Sequence, residues 1–391
     1  MNDTLQAWMR EATRLTQAGR LHEATAAIQR ALGNTGAVPN PIPPHAQATA
    51  RRATHWVAGP KALPRGLDGC VFELEAGLQA PAPTTAPTPD RVGRGEFTRG
   101  RHTNGSLTRD YKLYTPPGHA GRSLPLVVML HGCTQDPDDF AAGTGMNERA
   151  REQGFFVLYP AQSQDANPSR CWNWFKHNHQ RRGSGEPALL ASMTQSVMQQ
   201  HDIDPRRVYI AGLSAGGAMA AIVAEAYPEL FAAVGVHSGL PRGAASSMPE
   251  ALAVMQGGWP EPGLAGPAPA AAVPPRTAVP TIVFHGDQDR TVHPRNGEQV
   301  IAAVLGAAGT GPWPAPAGSP RVEQGVSSQG LRYTRSTHAG GNGNALAEHW
   351  VVHGAGHAWS GGQAAGSYTD ARGPDATGEM LRFFFGQCPS R

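Results

Sequence analysis

The stretch "VYIAGLSAGGAMAA" constrains the fold of this chain more than any other. The apolar run Val208 to Ala211 is followed by one serine between glycines, and then by a run of small residues suited to a helix. A hydroxyl there packs poorly and favours helix poorly. It makes sense if the backbone must turn sharply from strand to helix and leave Ser214 at the tip. Gly212-Leu213-Ser214-Ala215-Gly216 has the G-x-S-x-G spacing of such a turn. Five residues of this kind also arise by chance, so the rest of the chain has to carry the reading.

From about residue 92 onward, buried strands alternate with helices. "LPLVVMLHG", "FFVLYP" and "RVYIAGL" are continuous apolar runs, which suit a parallel sheet covered on both faces. "RDYKLYTPPG" reads as a further strand, ended by two prolines. "FAAVGVHSG", "PTIVFHGDQD" and "EHWVVHGAGHAW" supply three more strands, each leading into a loop. Between them, "DDFAAGTGMNERAREQG" reads as one helix started by Asp138 or Asp139 and stopped at Gly154. "EPALLASMTQSVMQQH", the segment after Ser214 and "ATGEMLRFFFGQ" complete the helices. The alternation predicts an α/β, mostly parallel, doubly wound sheet with helices on both faces. The segment "GGWPEPGLAGPAPAAAVPPR" reads as a surface insertion.

The N-terminal part has a different texture. Leu5, Trp8, Met9, Ala12 and Leu15, then Leu21, Ala24, Ile28 and Leu32, recur at helical spacing, so residues 1–35 read as a helical hairpin. Its apolar face needs a cover: the main domain, a second copy or a hydrophobic surface. Residues 36–91 hold "VPNPIPPH" and "APAPTTAPTPD" and read as a Pro-rich linker, which leaves 92–391 as the catalytic domain.

Composition removes several function classes. The formal net charge is +3 and the basic residues are scattered, which gives no basis for a nucleic-acid partner. No apolar run approaches the ~20 residues that span a bilayer. The first residues carry charges throughout, so no secretory signal is read and a cytoplasmic location is expected. None of the four cysteines, Cys70, Cys133, Cys171 and Cys388, forms a CxxC pair, so neither a metal site nor a cofactor is expected. A bridge between Cys133 and Cys171 stays open, because both fall in segments placed near the site.

In sheets of this kind chemistry sits beyond the carboxyl ends of the strands. Ser214 follows one strand, Asp287 and Asp289 another, and His357 a third. A serine hydroxyl needs an imidazole to take its proton, and that imidazole needs a carboxylate to fix its tautomer. The chain order Ser, Asp, His is that of the α/β-hydrolases, so Ser214, Asp289 and His357 are the expected catalytic set. Asp289 is favoured over Asp287 because it lies further along the loop, and Asp287 is expected to bond the turn. His349 and His353 belong to a strand and its end, and His293 to the Asp289 loop. Backbone N–H groups of Ala215 and Cys133 are the expected donors to the oxyanion.

"LHGCTQDPDDFAAGTGMNERAREQGFFVLYPAQ", "CWNWF", "GLSAGGAMA", "FHGDQDRTVHP" and "GAGHAWSGG", in this order, resemble the polyhydroxybutyrate depolymerase family of esterases, a branch of the α/β-hydrolases. The similarity runs from about Phe97 to Phe385. It implies a serine esterase acting on short-chain polyhydroxyalkanoate esters, with feruloyl or acetylxylan esters as the alternative and peptide bonds as a third. By the same resemblance Ser214, Asp289 and His357 fall on the triad and Cys133 on the oxyanion position. Trp172 matches an aromatic lining the substrate groove of related enzymes, and Trp359 is a second candidate for that role. Core packing is the competing reading for both indoles. Many members are secreted with a C-terminal substrate-binding domain, whereas the extra segment here is N-terminal.

Overall fold

The computed structural model describes residues 93–257, 278–308, 318–341 and 343–387. The expected N-terminal hairpin, the Pro-rich linker, the insertion after Gly257 and Cys70 and Cys388 lie outside them. Twelve strands and seven α-helices follow in chain order: β1 (Glu96–Asn104), β2 (Leu107–Thr115), β3 (Leu124–Leu130), α1 (Pro137–Thr144), α2 (Met146–Gln153) and β4 (Phe156–Pro160). Next come α3 (Gly185–Gln200), β5 (Ile203–Leu213), α4 (Ala215–Ala226), β6 (Ala233–His237), α5 (Met248–Gly257) and β7 (Thr281–Gly286). The last are α6 (Arg295–Ala307), β8 (Arg321–Val326), β9 (Arg332–Ala339), β10 (Ala345–Val352), β11 (Trp359–Ser360), β12 (Thr369–Asp370) and α7 (Ala376–Phe385).

Ten of these strands form one sheet in the order β1-β2-β4-β3-β5-β6-β7-β10-β9-β8. The middle, from β4 to β10, is parallel, and an antiparallel pair closes each side. The period of two along a strand divides the core cleanly. Leu126, Val128, Leu130, Val208 and Ile210 pack on one face. Val127, Met129, Tyr209, Ala211 and Leu213 pack on the other. Burial on both faces is what makes these runs apolar throughout, and each such side chain contributes about 1.5–3 kcal/mol.

Several elements differ from the sequence reading. The helix expected from Asp138 to Gly154 is two helices, because Gly145 adopts φ 62° between them. Asp136 caps the first by accepting the N–H groups of Asp138 and Asp139, with Pro137 at its first position. The edge strands β1 and β8 carry mixed, largely exposed residues and show none of the apolar signal of the centre. The β8–β9 pair and helices α5 and α6 were likewise not read from the sequence.

Candidate active site

The carboxyl ends of β3, β5, β6, β7 and β10 lie side by side: Leu130 pairs with Gly212, Leu213 with His237, His237 with Phe284, and Gly286 with Val352. Ser214, Ala215, Asp289, His357 and Cys133 each follow one of these ends, whereas Trp172 follows β4. Ser214 sits at the tip of its turn with φ 57° and ψ −119°, a conformation that costs a non-glycine residue on the order of 1–3 kcal/mol. Its N–H donates to the His237 carbonyl at 2.8 Å. The flanking glycines permit a close approach. A Cβ on Gly216 would collide with the carbonyl oxygens of Leu130 and His131, and one on Gly212 with the backbone of Gly216. The start of α4 is thereby pressed against the end of β3.

That contact brings Ala215 beside the turn that follows β3. Within this turn Gly132 N–H donates to Gln135 Oε1, Gln135 N–H to the Gly132 carbonyl, and Thr134 N–H to the Ser169 carbonyl. The Cys133 N–H meets no acceptor among the described residues. Ala215 opens its helix, where N–H groups lack intrahelical partners. The Ala215 N–H stands next to Ser214 in the chain, at the positive end of the α4 dipole.

The β3 turn is held rigidly. Cys133 and Cys171 form a disulfide, the pairing that the sequence left open. His131 donates from Nδ1 to the Gly132 carbonyl and accepts the Gln162 N–H at Nε2, which makes it neutral; burial pushes it down to about 4. Behind it the fully buried Glu186 accepts from Gln162 Nε2 at 2.5 Å and from the Asn173 N–H at 2.7 Å. Burial alone would raise its pKa, but His179, Gln162 and the Asn173 N–H hold the carboxyl below its usual range. Sequence reading missed this network. A glutamate in the first turn of an otherwise buried helix was its one signal.

Trp172 and Trp359 belong to the core. Their indoles are 0% and 1% exposed, which removes them from direct contact with a ligand. Trp172 Nε1 donates to the His131 carbonyl, and Trp359 Nε1 to Thr377 Oγ1. Both support the site from behind instead of lining a groove.

After β7, the two aspartates go to different partners. Asp289 Oδ1 accepts the N–H groups of Thr291 and Val292, which fixes the loop, while Oδ2 lies 2.7 Å from His357 Nδ1. His285 Nε2 is 3.4 Å from the same oxygen. Burial would raise the Asp289 carboxyl, yet the bonds from His285, His357 and Val292 hold it far below the usual carboxylate range. Asp287 instead accepts His353 Nδ1 at 2.9 Å and the Gly354 N–H at 2.7 Å, and so ties down the turn after β10. His349 stays within its strand, and the His293 N–H donates to the Met255 carbonyl.

The loop bearing His357 is anchored on the residue that holds Ser214. His237 is buried, stacks on Trp359 at 5.0 Å and accepts the Ser360 N–H at Nε2. Its backbone thus fixes the serine turn and its ring the histidine loop. The Asp289–His357 pair and the Ser214 turn are thus both tied to His237, with the imidazole held by a carboxylate as a general base requires. Among the described residues no group of three or more His, Cys, Asp or Glu side chains could hold a metal ion. No described helix is long and apolar enough to cross a membrane.

Residues 109–312 match the family model described as esterase PHB depolymerase. The chain is 30% identical over 248 residues to poly(3-hydroxyalkanoate) depolymerase C of Paucimonas lemoignei, covering 62% of this chain and 56% of that one. A probable acetylxylan esterase A of Aspergillus fumigatus is 28% identical over 236 residues, 54% of this chain and 57% of the relative. Feruloyl esterase B of Neurospora crassa is 31% identical over 151 residues, 37% and 51% of the two chains. The chain therefore spans little more than half the length of these relatives. Among solved structures, acetyl xylan esterase from Aspergillus awamori superposes with a TM-score of 0.54 at 19% identity, over 74% of this chain and 99% of that one, which identifies the α/β-hydrolase fold.

Proposed function

Since this chain belongs to the esterase PHB depolymerase family, we propose that it hydrolyses carboxylic esters through an acyl-enzyme on Ser214, with short-chain polyhydroxyalkanoate esters, polymer or oligomer, as its substrate class. The observation that carries this reading is the 2.7 Å Asp289–His357 pair, held on a loop anchored to the Ser214 turn through His237.

Asp289 takes the Nδ1–H of His357, which leaves Nε2 as the base. His357 removes the Ser214 proton as Oγ attacks the ester carbonyl, and the developing oxyanion takes the N–H groups of Cys133 and Ala215. Each such donor is worth ~3 kcal/mol on the usual mutagenesis scale. His357 then protonates the departing alkoxide. A water, deprotonated by the same imidazole, attacks the acyl-enzyme, and the serine leaves with the proton restored. Donors fixed by the fold mean that little reorganises during the reaction.

Feruloyl or acetyl esters of carbohydrates are the second reading, supported by the names of two of the relatives. The Cys133–Cys171 bridge supports an oxidising compartment over the cytoplasmic location read from the N-terminal residues. A panel of p-nitrophenyl esters of rising chain length, hydroxybutyrate oligomers, methyl ferulate and acetylated xylan tests the proposal on purified protein. The highest kcat/KM is expected on hydroxybutyrate oligomers. A preference for methyl ferulate or acetylxylan by tenfold or more would transfer the assignment to the second reading, and turnover of peptides alone would overturn both.

A further inference from the structure

Tyr368 combines three features that no packing role explains. Its backbone is left-handed at φ 52°, one of five non-glycine residues in that region among those described. Its side chain is 47% exposed, although it is a large aromatic in a well-packed domain. It also bridges the two loops that carry the candidate chemistry. Its carbonyl accepts the Trp359 N–H at 2.7 Å, two residues beyond His357. Its hydroxyl lies 3.2 Å from Thr134 Oγ1, on the residue next to the Cys133 donor. Thr134 is itself left-handed at φ 67°.

The surrounding segment is built to keep it there. Asp139 accepts both the N–H of Ser367, at 2.8 Å, and its hydroxyl, at 2.5 Å. Gln135 Nε2 donates to the Ser367 carbonyl at 3.1 Å and to Asp139. Gly366 packs so closely on Gly143 that a Cβ could not fit between them. With a further bond from Gln135 Nε2 to the Ser367 hydroxyl, four polar contacts to the turn after β3 and the start of α1 fix the residue before Tyr368. Strain of this kind, kept in place by its surroundings, concentrates at ligand clamps. Tyr368 thus joins the histidine loop through its carbonyl and the oxyanion turn through its hydroxyl, with its ring left exposed to whatever enters there.

We propose that the Tyr368 ring is the specificity-determining platform on which the chain of a multi-unit or long-chain ester lies beyond its scissile bond. This rests on the esterase reading above, with Ser214 as the nucleophile. The ring supplies apolar area at the site mouth that neither buried tryptophan can supply, and the Thr134 hydroxyl fixes its tilt. A short ester ends before reaching it. The prediction is therefore a change in chain-length preference with little change in chemistry, since an interaction made equally in ground and transition states moves KM and leaves kcat in place.

Two variants test it. Tyr368→Asn removes the ring while tolerating the left-handed backbone, and Tyr368→Phe keeps the ring without the hydroxyl. In Tyr368→Asn, KM for a hydroxybutyrate trimer and for p-nitrophenyl octanoate should rise about tenfold, the worth of one good aromatic contact. Turnover of p-nitrophenyl acetate should stay within twofold, Tm should not fall, and Tyr368→Phe should recover most of the trimer KM. Equal losses on acetate and trimer, or a lowered Tm, would make the residue structural and overturn the proposal. An unchanged trimer KM would do the same. A second readout separates this from failure of the substrate assignment: covalent labelling of Ser214 by fluorophosphonates with ethyl and dodecyl chains. If the parent protein turns over no ester but labels, the substrate reading fails alone, and Tyr368→Asn must still slow the dodecyl probe selectively. A parent protein that does not label removes the nucleophile and the proposal together.

Discussion

The Ser360 N–H donates to His237 Nε2 at 2.9 Å, while the His237 carbonyl receives the Ser214 N–H at 2.8 Å. One buried residue therefore sets the spacing between the candidate nucleophile and the loop of its base. Misplacement of reacting groups by 1 Å can cost about a hundredfold in rate. His237→Phe keeps the stacking on Trp359 and Phe284 but loses the acceptor. Its kcat on p-nitrophenyl acetate should fall about ten- to a hundredfold with KM little changed. His237→Gln, which can still accept, should recover part of the loss. Equal activity of the Phe variant and the parent would show that the ring is not a spacer.

Ser214→Ala should abolish ester turnover and fluorophosphonate labelling. Ser214→Gly should be equally inactive but more stable by about 1 kcal/mol, because glycine relieves the φ 57° backbone. Thermal melting beside the activity assay checks both. A destabilised glycine variant would contradict the strain assigned to this turn.

The two aspartates should separate cleanly. Asp289→Asn would hold the wrong tautomer of His357 and should lower kcat by about 10⁴, the loss seen for the corresponding change in a known triad enzyme. The Asp287 carboxylate bonds His353 and the Gly354 N–H instead of His357, so Asp287→Asn should cost less than tenfold in kcat and act mainly on Tm. Steady-state kinetics of the pair decide the assignment, and reversed losses would move the acid to Asp287.

The Cys133–Cys171 bridge closes a separation of 38 residues. The chain-entropy relation puts its contribution to stability at about 4 kcal/mol. The double substitution Cys133→Ser, Cys171→Ser should lower the denaturant midpoint accordingly. It should also reduce kcat at least tenfold at temperatures where the protein stays folded, since the bridge fixes the turn bearing the Cys133 N–H. Full kcat in the folded double variant would limit the bridge to a stability role.

Acid should destabilise the protein well before its carboxylates titrate. Burial pushes His131 and His349 down to about 4 and His237 to about 3, the last two with help from neighbouring histidines. Unfolded, each imidazole takes up its proton near pH 6.5, so between that pH and about 4 the unfolded chain binds more protons than the folded one. Stability is thus fully present above pH 6.5 and falls as pH drops toward 4, by up to roughly 3 kcal/mol per histidine. Chemical denaturation at pH 7.5, 6, 5 and 4.5 measures the slope. His349→Gln should make it shallower, and an unchanged midpoint across this range would refute the neutral state of the three rings.

The sequence by itself determined the centre of this protein. Continuous apolar runs at Leu124–Leu130, Phe156–Pro160 and Val208–Leu213 could be buried only on both faces, which dictates a parallel sheet flanked by helices. The small residues around Ser214 pointed to a tight strand-to-helix turn, and position along the loop favoured Asp289 over Asp287. Edges escaped the reading because β1 and β8 are half solvated, and polar strands share their composition with loops. The tryptophans escaped it because a residue type records area and not direction: Trp172 and Trp359 sit beside the site in sequence, but their indoles turn into the core. The pairing of Cys133 with Cys171, the double use of His237 and the exposure of Tyr368 were decided by tertiary structure alone. Each depends on segments between 38 and 234 positions apart, and no local pattern encodes a distance that folding sets.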